Sequence, residues 1–292
     1  MLAHAFAAKT VVGLEPILVG TLSTFMKQMD KRAAAGTQVN MRLMLNYFTI
    51  DLFGNLLYGH KLGCLEREND LLDAEFPRDG RIYKVPIIQS LLDATVVNTV
   101  LAFAPKLLPI TKPLLNYHPY KKKGTDWENI VYHNTKERMA NPAPGDDLFK
   151  KLLQDSKGQE LNLPLGGIIA ECSAMMNAGT KTTTAAMTNT VYLLYTHPHV
   201  LAKLRAEIDT DRWMTGDSEN KHRMMTNHLP FSTGPRACIG RNIAYFEQIV
   251  VIATLAKFYD CIVPTGFKLE TQERFNSNPG PLVVEVMPRR KE

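Results

Sequence analysis

One cysteine of the sequence stands in a glycine-bracketed loop that leads directly into an apolar helical pattern. The loop occupies positions 231–240, reads Phe-Ser-Thr-Gly-Pro-Arg-Ala-Cys-Ile-Gly, and is followed by a helical pattern that begins at Arg241. Amide dipoles at the N-terminus of a helix lower the pKa of a thiol and stabilise its thiolate. The position of Cys238 therefore predicts a thiolate that can ligate a metal. The alternative is an ordinary buried thiol, which is the usual state of a single cysteine.

The neighbours of this cysteine indicate what kind of group carries the metal. Arg236 offers a planar guanidinium fork that can pair with a carboxylate of that group. Gly234 and Gly240 let the backbone come close to a flat ligand or adopt a positive φ angle. Phe231 supplies an apolar wall that keeps water off the sulfur. An ordinary buried thiol needs none of these four neighbours, so the pattern favours a cofactor-binding loop.

A second unusual stretch lies inside the longest helical pattern of the chain, which runs from about 165 to 195. Residues 178–183 read Ala-Gly-Thr-Lys-Thr-Thr. Glycine in a helix interior costs about 1 kcal/mol relative to alanine, and β-branched residues are also unfavourable there. Such a cost usually marks a bend or a functional site. For the threonine cluster taken alone, hydroxyls bonded to the backbone of a bent helix are the simpler interpretation.

Together the two stretches resemble the cytochrome P-450 superfamily, the haem-thiolate monooxygenases. The loop matches the family pattern Phe-x-x-Gly-x-Arg-x-Cys-x-Gly at every position, and the helix is similar to the central helix of the family, with its Ala-Gly-x-acid-Thr-Thr pattern. The His197-Pro198 pair resembles the start of the next helix in the family, and residues 48–66 resemble a helix and turn of its fungal members. The resemblance covers nearly the whole chain, in two blocks at 4–209 and 211–287.

This resemblance implies a cofactor, a reaction and partners. Haem b is expected to bind through its iron to the Cys238 thiolate, and NADPH to supply electrons indirectly, through NADPH-cytochrome P-450 reductase. The expected reaction inserts one oxygen atom of dioxygen into a C–H bond of a lipophilic small molecule, with the thiolate favouring O–O cleavage. Gly179 is expected to leave room for dioxygen, and Thr182 to guide protons to the reacting oxygen. Fungal secondary metabolism or aromatic-compound chemistry follows by analogy only.

Lys181 departs from the family pattern. It stands where the family normally has Asp or Glu, the residue that assists proton delivery. A lysine does not hand on protons in the same way unless its pKa is strongly depressed. A haem-binding protein without oxygenase turnover therefore stays open as an alternative.

The sequence predicts a single, mainly α-helical domain over 1–292, with a minor β region. Its expected architecture is that of the cytochrome P-450 superfamily, with some segments of the family missing. Helical patterns cover 4–32, 41–58 and 248–258, and short strands are predicted at 260–264 and 281–287. The first helices, the first sheet and the membrane anchor of the family are expected to be absent upstream of residue 4.

A family segment is also missing at the junction near 209–211. It carries the Glu-x-x-Arg helix, whose ion pair locks onto the arginine represented here by Arg212. The one Glu-x-x-Arg of this chain, at 75–78, contains a proline and precedes the central helix. The second hypothesis is therefore a catalytically inactive, shortened family member, or a mis-predicted gene model, with weak or no haem binding.

Composition argues against several other classes of function. A dispersed net charge of +5 does not indicate nucleic-acid binding. No C-x-x-C spacing occurs, which argues against a zinc site or a disulfide framework and implies a reducing compartment. The four cysteines are Cys64, Cys172, Cys238 and Cys261.

The sequence contains neither a signal peptide nor a run of about twenty apolar residues, so no transmembrane segment is expected. The family resemblance places the protein at the cytoplasmic side of the endoplasmic reticulum membrane. The proline-interrupted apolar stretch at 101–115 suits peripheral contact with the bilayer, and an internal helix pair fits it equally well.

Overall fold

The computed structural model describes residues 3–103, 105–115, 119–143, 147–155, 157–208, 230–274 and 276–289. These parts of the chain form mainly helices with three small antiparallel sheets, in agreement with the predicted fold class. The helices are α1 (Ala8–Gly13), α2 (Glu15–Ala34), α3 (Met41–Tyr58), α4 (Cys64–Arg67), α5 (Ile87–Phe103), α6 (Leu108–Leu115), α7 (Pro119–Ala140), α8 (Leu148–Leu153), α9 (Leu165–Thr196), α10 (Pro198–Ile208) and α11 (Arg241–Phe258). The strands are β1 (Val39–Asn40), β2 (Leu71–Glu75), β3 (Ile82–Pro86), β4 (Tyr259–Ile262), β5 (Thr271–Arg274), β6 (Asn276–Pro279) and β7 (Val283–Pro288).

Helix α3 lies in the centre of the core. It is apolar around most of its circumference and almost entirely buried, as expected for a helix with neighbours on all sides. The side chain of Asn40 caps its N-terminus by accepting a hydrogen bond from the Leu43 amide, and Gly59 ends it in the left-handed region at φ 78°. Inside the core, the buried carboxylate of Asp51 accepts the amides of Cys64 and Leu65, which fixes α4 against α3.

Helix α9 is the longest described element, with 32 residues, and it packs against both α3 and α11. It begins after Pro164 and ends at Thr196, and His197 separates it from Pro198, the first residue of α10. The predicted helix at 165–195 is thus confirmed almost to the residue. Because α11 directly follows the cysteine loop, this packing brings the two stretches singled out in the sequence onto neighbouring helices.

The largest sheet joins distant parts of the chain in the order β1-β7-β4. Val39 pairs with Val284, and Cys261 pairs with Val286. These strands agree with the two predicted near the C-terminus. The β2–β3 and β5–β6 hairpins form the other two sheets of the described chain.

The prediction of one continuous helix over 4–32 is wrong. The structure has a 3-10 turn at Ala3–Phe6, then α1, and then a separate helix α2, with Leu14 between the two α-helices. Pro16 in the first turn of α2 has no N–H to donate and favours the start of a helix over its continuation.

Candidate functional site

The cysteine loop is shaped by its glycines and by two backbone hydrogen bonds. A 3-10 turn covers Gly234–Arg236, and Gly234 adopts φ 74°. The Ala237 amide donates to the Gly234 carbonyl at 3.1 Å, and the Cys238 amide donates to the Phe231 carbonyl at 2.8 Å. Helix α11 begins directly after the loop. The backbone therefore holds Cys238 at the N-terminus of α11, as the sequence predicted.

The side chains of the loop leave this cysteine accessible. Cys238 is exposed and free, and Arg236 is exposed as well. A Cβ atom at Gly240 would lie 4.0 Å from the Cys238 sulfur, which is ordinary contact distance. The Phe231 ring packs against the Tyr245 ring of α11, with centroids 4.7 Å apart. All five predicted loop residues thus lie in the loop at 231–240, and their roles toward a cofactor stay predictions.

The other three cysteines have a different environment. Each of them is buried. Burial raises the pKa of the Cys172 thiol and of the Cys261 thiol to about 12, and it raises the pKa of the Cys64 thiol as well. These three side chains are protonated packing residues, so the accessible thiol is that of Cys238.

The central helix presents one open face at the predicted motif. Ala178 and Thr182 are both exposed, one helical turn apart. The Thr182 hydroxyl donates to the Ala178 carbonyl at 2.7 Å, which is the back-bonding anticipated for a threonine inside a helix. Thr182 is therefore held on a face of α9 that is free to meet a ligand.

Gly179 lies on a packed face of the same helix. A Cβ atom built there would lie 2.0 Å from the Cζ atom of Phe53 on α3. The structure therefore gives this glycine a packing role, which is the close approach of an aromatic ring to the helix backbone. Its predicted role in leaving room for dioxygen is not tested by this contact.

Lys181 lies on another side of α9. It is 7% exposed and lines a small cavity of about 20 Å³ together with Arg42 and Asn46 of α3 and Ile88 of α5. A cavity of this size holds about one water molecule. The lysine that replaces the family acid is thus directed between α3 and α5.

The sequence analysis assigned no role to Glu247, which the structure places between α11 and α9. The side chain is 1% exposed, and burial raises its pKa well above the usual value. The sequence signal was an acid preceded directly by Phe246 and followed one helical turn later by Val251, but such a pattern does not show whether the acid is paired.

The sequence analysis also considered Arg212 and the Glu-x-x-Arg at 75–78. Arg212 lies outside the described residues. Glu75, from the Glu-x-x-Arg at 75–78, ends strand β2 and accepts hydrogen bonds from His133 and Lys136 of α7. A strand residue paired in this way agrees with the interpretation that this motif is not the family's helical element.

Neither a metal-ligand cluster nor a membrane-spanning helix occurs in the described part of the chain. Among its residues, no group of three or more His, Cys, Asp or Glu side chains could hold a metal ion. None of its helices is long and apolar enough to cross a bilayer.

Comparisons with known proteins support the family resemblance in both blocks of the chain, 4–209 and 211–287. The sequence model of the family described as Cytochrome P450 matches residues 1–212 and 209–286. Benzoate 4-monooxygenase of Aspergillus niger is 21% identical over 386 aligned positions, which cover 98% of this chain and 74% of the relative. Those 386 positions accommodate at most the 292 residues of this chain, so the relative has stretches without a counterpart here.

Other fungal relatives match over a smaller share of their length. Cytochrome P450 monooxygenase cpaH of Aspergillus oryzae is 25% identical, over 84% of this chain and 44% of its own length. Trichothecene C-4 hydroxylase of Trichoderma arundinaceum is 26% identical, over 78% of this chain and 43% of its own length. The chain spans less than half of these two relatives.

Solved structures agree in fold. The haem domain of cytochrome P450DA matches with a TM-score of 0.75 at 17% identity, over 99% of this chain and 76% of that one. Cytochrome P450 CYP102L1 matches with a TM-score of 0.72 at 17% identity, over 99% and 80% respectively. The mainly helical architecture with a minor β region is therefore that of these proteins.

Proposed function

Because the chain belongs to the cytochrome P450 family, we propose that it is a haem-thiolate monooxygenase in which Cys238 is the ligand of the haem iron. The observation that carries the proposal is the contrast among the four cysteines. Cys238 is exposed at the N-terminus of α11 inside the complete ten-residue loop, whereas the other three are buried. The donor chemistry of the loop therefore fits a haem thiolate.

Haem bound at Cys238 supplies dioxygen activation and transfer of one oxygen atom to a C–H bond. The residues of this chain position and protect that chemistry. The turn at Gly234 sets the cysteine at the helix N-terminus, and the exposed Arg236 is free to pair with a haem propionate. On the open face of α9, Thr182 donates its hydroxyl proton to the Ala178 carbonyl, and with haem bound this hydroxyl would guide protons to the reacting oxygen.

The electrons come from NADPH by way of NADPH-cytochrome P450 reductase, the partner that the family implies. The substrate is a lipophilic small molecule. The names of two relatives, a benzoate 4-monooxygenase and a trichothecene C-4 hydroxylase, support hydroxylation of an aromatic compound or of a secondary metabolite.

The protein acts at the cytoplasmic surface of the endoplasmic reticulum membrane and touches the bilayer through the stretch at 101–115. Three apolar side chains of this stretch support the contact because they are exposed: Leu107 at 51%, Ile110 at 64% and Leu114 at 66%. Exposed apolar side chains beside Lys106 suit the interface between headgroups and acyl chains.

A catalytically inactive family member is the second candidate. It is favoured by two observations, namely the stretches of the relatives that find no counterpart in this chain and the lysine at position 181. In this alternative the loop is retained, but the scaffold that braces haem is incomplete and binding is weak or absent.

Haem titration distinguishes the two candidates. The purified protein is titrated with haem, and binding is followed by the change in the Soret absorption of the ferric form. Binding at one site that weakens at least tenfold in Cys238→Ser, and that is unchanged in the buried-cysteine control Cys261→Ser, supports the monooxygenase. No saturable binding supports the inactive candidate, and equally tight binding by Cys238→Ser contradicts Cys238 as the ligand of the haem iron.

A further inference from the structure

A polar cleft of about 720 Å³ lies between the turn that joins α3 to α4, the β2–β3 hairpin and the C-terminal half of α7. The residues predicted to contact haem, dioxygen or the bilayer are not among the described residues that line it. Pockets of about 300–1,000 Å³ hold small organic ligands in other proteins. The cleft is therefore large enough for a ligand of its own, and the proposed reaction gives it no role.

The lining of the cleft carries more positive than negative charge. Its described residues include three cations, Lys61, Arg67 and Lys84, and two acids, Asp73 and Glu137. Lys84 donates to both carboxylate oxygens of Asp73, at 2.8 and 2.9 Å, so the charges of this pair cancel. Two cations then remain against a single acid, and this balance favours a ligand with an anionic group.

Arg67 is anchored through one of its three nitrogens. Its Nη2 atom donates to the Leu62 carbonyl at 3.0 Å and to the Leu71 carbonyl at 3.4 Å. Within the described part of the chain, Nε and Nη1 have no hydrogen-bond partner. A guanidinium group fixed in this way loses little freedom on binding, and its planar fork matches the oxygens of a phosphate or carboxylate.

Two imidazole rings in the lining are anchored in the same manner. Nδ1 of His133 donates to the buried carboxylate of Glu75 at 3.1 Å, and Nδ1 of His60 donates to the Tyr58 carbonyl at 3.3 Å. Neither ring uses its Nε2 atom in a hydrogen bond to another described residue. A protonated ring can donate from Nε2 to an anion, and a neutral ring can accept a hydroxyl proton there.

We propose that this cleft binds a small organic phosphate, with Arg67 as the main contact of the phosphate group and with Lys61, His60 and His133 as further contacts. Donors from the α3–α4 turn, from α4 and from α7 suit the three terminal oxygens of a phosphate better than the two oxygens of a carboxylate. Glu137, one helical turn after His133 on α7, accepts hydrogen bonds from hydroxyl groups of the organic part. Binding involves no covalent step, and it does not depend on the proposed monooxygenase function.

Thermal unfolding and calorimetric titration with inorganic phosphate test the site without any haem. Phosphate should raise the unfolding temperature of the wild type more than sodium chloride does at the same ionic strength, because a ligand that binds the folded state stabilises it. Arg67→Gln should weaken phosphate binding at least about tenfold. The matched control is Arg81→Gln, which removes an exposed arginine at the turn of the β2–β3 hairpin, outside the cleft, and should leave binding unchanged. Equal shifts with the two salts, or equal losses in the two variants, overturn the proposal.

Glu137→Gln provides a second test if Arg67→Gln does not fold. Removing this exposed acid takes away a negative charge near the bound phosphate, so inorganic phosphate should bind at least about twofold more tightly. Glu128→Gln removes an exposed acid from the same helix, outside the cleft, and should not change the affinity. An unchanged affinity in Glu137→Gln overturns the placement of phosphate in this cleft.

The organic part of the ligand is tested with glucose 6-phosphate as the probe. The wild type should bind it at least about threefold more tightly than inorganic phosphate, because its hydroxyl groups reach Glu137. This preference should shrink in Glu137→Gln, although the same variant binds inorganic phosphate more tightly. Equal or weaker binding of glucose 6-phosphate by the wild type overturns the assignment of an organic phosphate.

Discussion

The ring of Phe53 lies against Gly179 so closely that a Cβ atom at position 179 would fall 2.0 Å from the Cζ atom of the ring. Helix α3, which is buried on nearly all sides, therefore packs directly against α9 at residues 178–183. The position of Thr182 on the open face of α9 thus depends on a contact made on a different side of the same helix.

Replacing Gly179 by alanine should destabilise the fold. The added methyl group would overlap the Phe53 ring, and overpacking of this kind costs roughly 1–3 kcal/mol. The free energy of unfolding, measured by urea denaturation, should fall by that amount.

Gly166→Ala, in the first turn of the same helix, is the control, since no other atom lies within 4 Å of the position its Cβ would take. It should be neutral or stabilising by up to about 1 kcal/mol. Equal effects of the two alanines would contradict the close approach of Phe53.

The buried ion pair between Arg138 and Asp147 should be necessary for stability. The two side chains are 6% and 8% exposed and 2.8 Å apart, and Asp147 also caps α8 by accepting the Lys150 amide. Asp147→Ala leaves Arg138 buried without this partner and should cost about 3–5 kcal/mol of unfolding free energy.

The exposed pair of Lys84 and Asp73 provides the comparison, with side chains 62% and 41% exposed. Asp73→Ala should cost less than about 1 kcal/mol, because water screens the pair. Similar losses in the two variants would be inconsistent with the burial seen for Arg138 and Asp147.

Glu75 should stabilise the protein at neutral pH and lose this contribution in acid. Its pKa is lowered from the usual 4.5, chiefly because Lys136 donates a hydrogen bond to it and also because His133 does. A lowered folded-state pKa gives stability above the unfolded-state pKa, and that stability disappears as the pH falls through the folded value. The difference in unfolding free energy between wild type and Glu75→Gln should therefore shrink on acidification below about pH 4.5; a difference independent of pH would speak against the pairing.

Glu247 should show the opposite pH dependence. Because burial raises its pKa, the unfolded state ionises above pH 4.5 while the folded state keeps its proton. Wild type should therefore lose stability relative to Glu247→Gln as the pH rises from 4.5 toward neutrality. Unfolding curves collected across this range check the sign, and a constant difference would mean that Glu247 titrates normally in the fold.

Contact with a bilayer should depend on the apolar side chains at 101–115. Ile110→Ser together with Leu114→Ser should lower the fraction of protein that floats with phosphatidylcholine and phosphatidylserine vesicles several-fold, because each variant removes apolar surface that enters the interface. Val12→Ser is the control, since Val12 is as exposed as Leu114, at 66%, but lies on α1. If Val12→Ser reduces flotation equally, the contact is not specific to 101–115.

Elements with a clear period and clear end signals were predictable from the sequence. Helix α3 and helix α9 were found close to their predicted bounds, since each combines a helical period with a glycine or proline at a boundary. The cysteine loop was predictable because Phe, two Gly, Arg and Cys stand at the five fixed positions of a family pattern.

Features that depend on neighbours distant in the chain were not predictable. The contact of Phe53 with Gly179 depends on how two helices pack, and the isolation of Glu247 depends on the whole environment between α9 and α11.

Two local features were also not predictable. The apolar period continues through the break at Leu14, although Pro16 has no N–H to continue the helical hydrogen bonds. The β2–β3 hairpin was missed because Leu71 to Glu75 does not alternate strictly between apolar and polar residues.

The absorption spectrum of the reduced, carbon-monoxide-bound protein tests the central claim most directly. If Cys238 ligates haem as a thiolate, the haem-loaded wild type will show the Soret band characteristic of thiolate ligation, and Cys238→Ser will lose it while Cys261→Ser keeps it. A wild-type protein that takes up haem but shows the band of a neutral nitrogen ligand, or a Cys238→Ser variant with an unchanged thiolate band, would contradict the account.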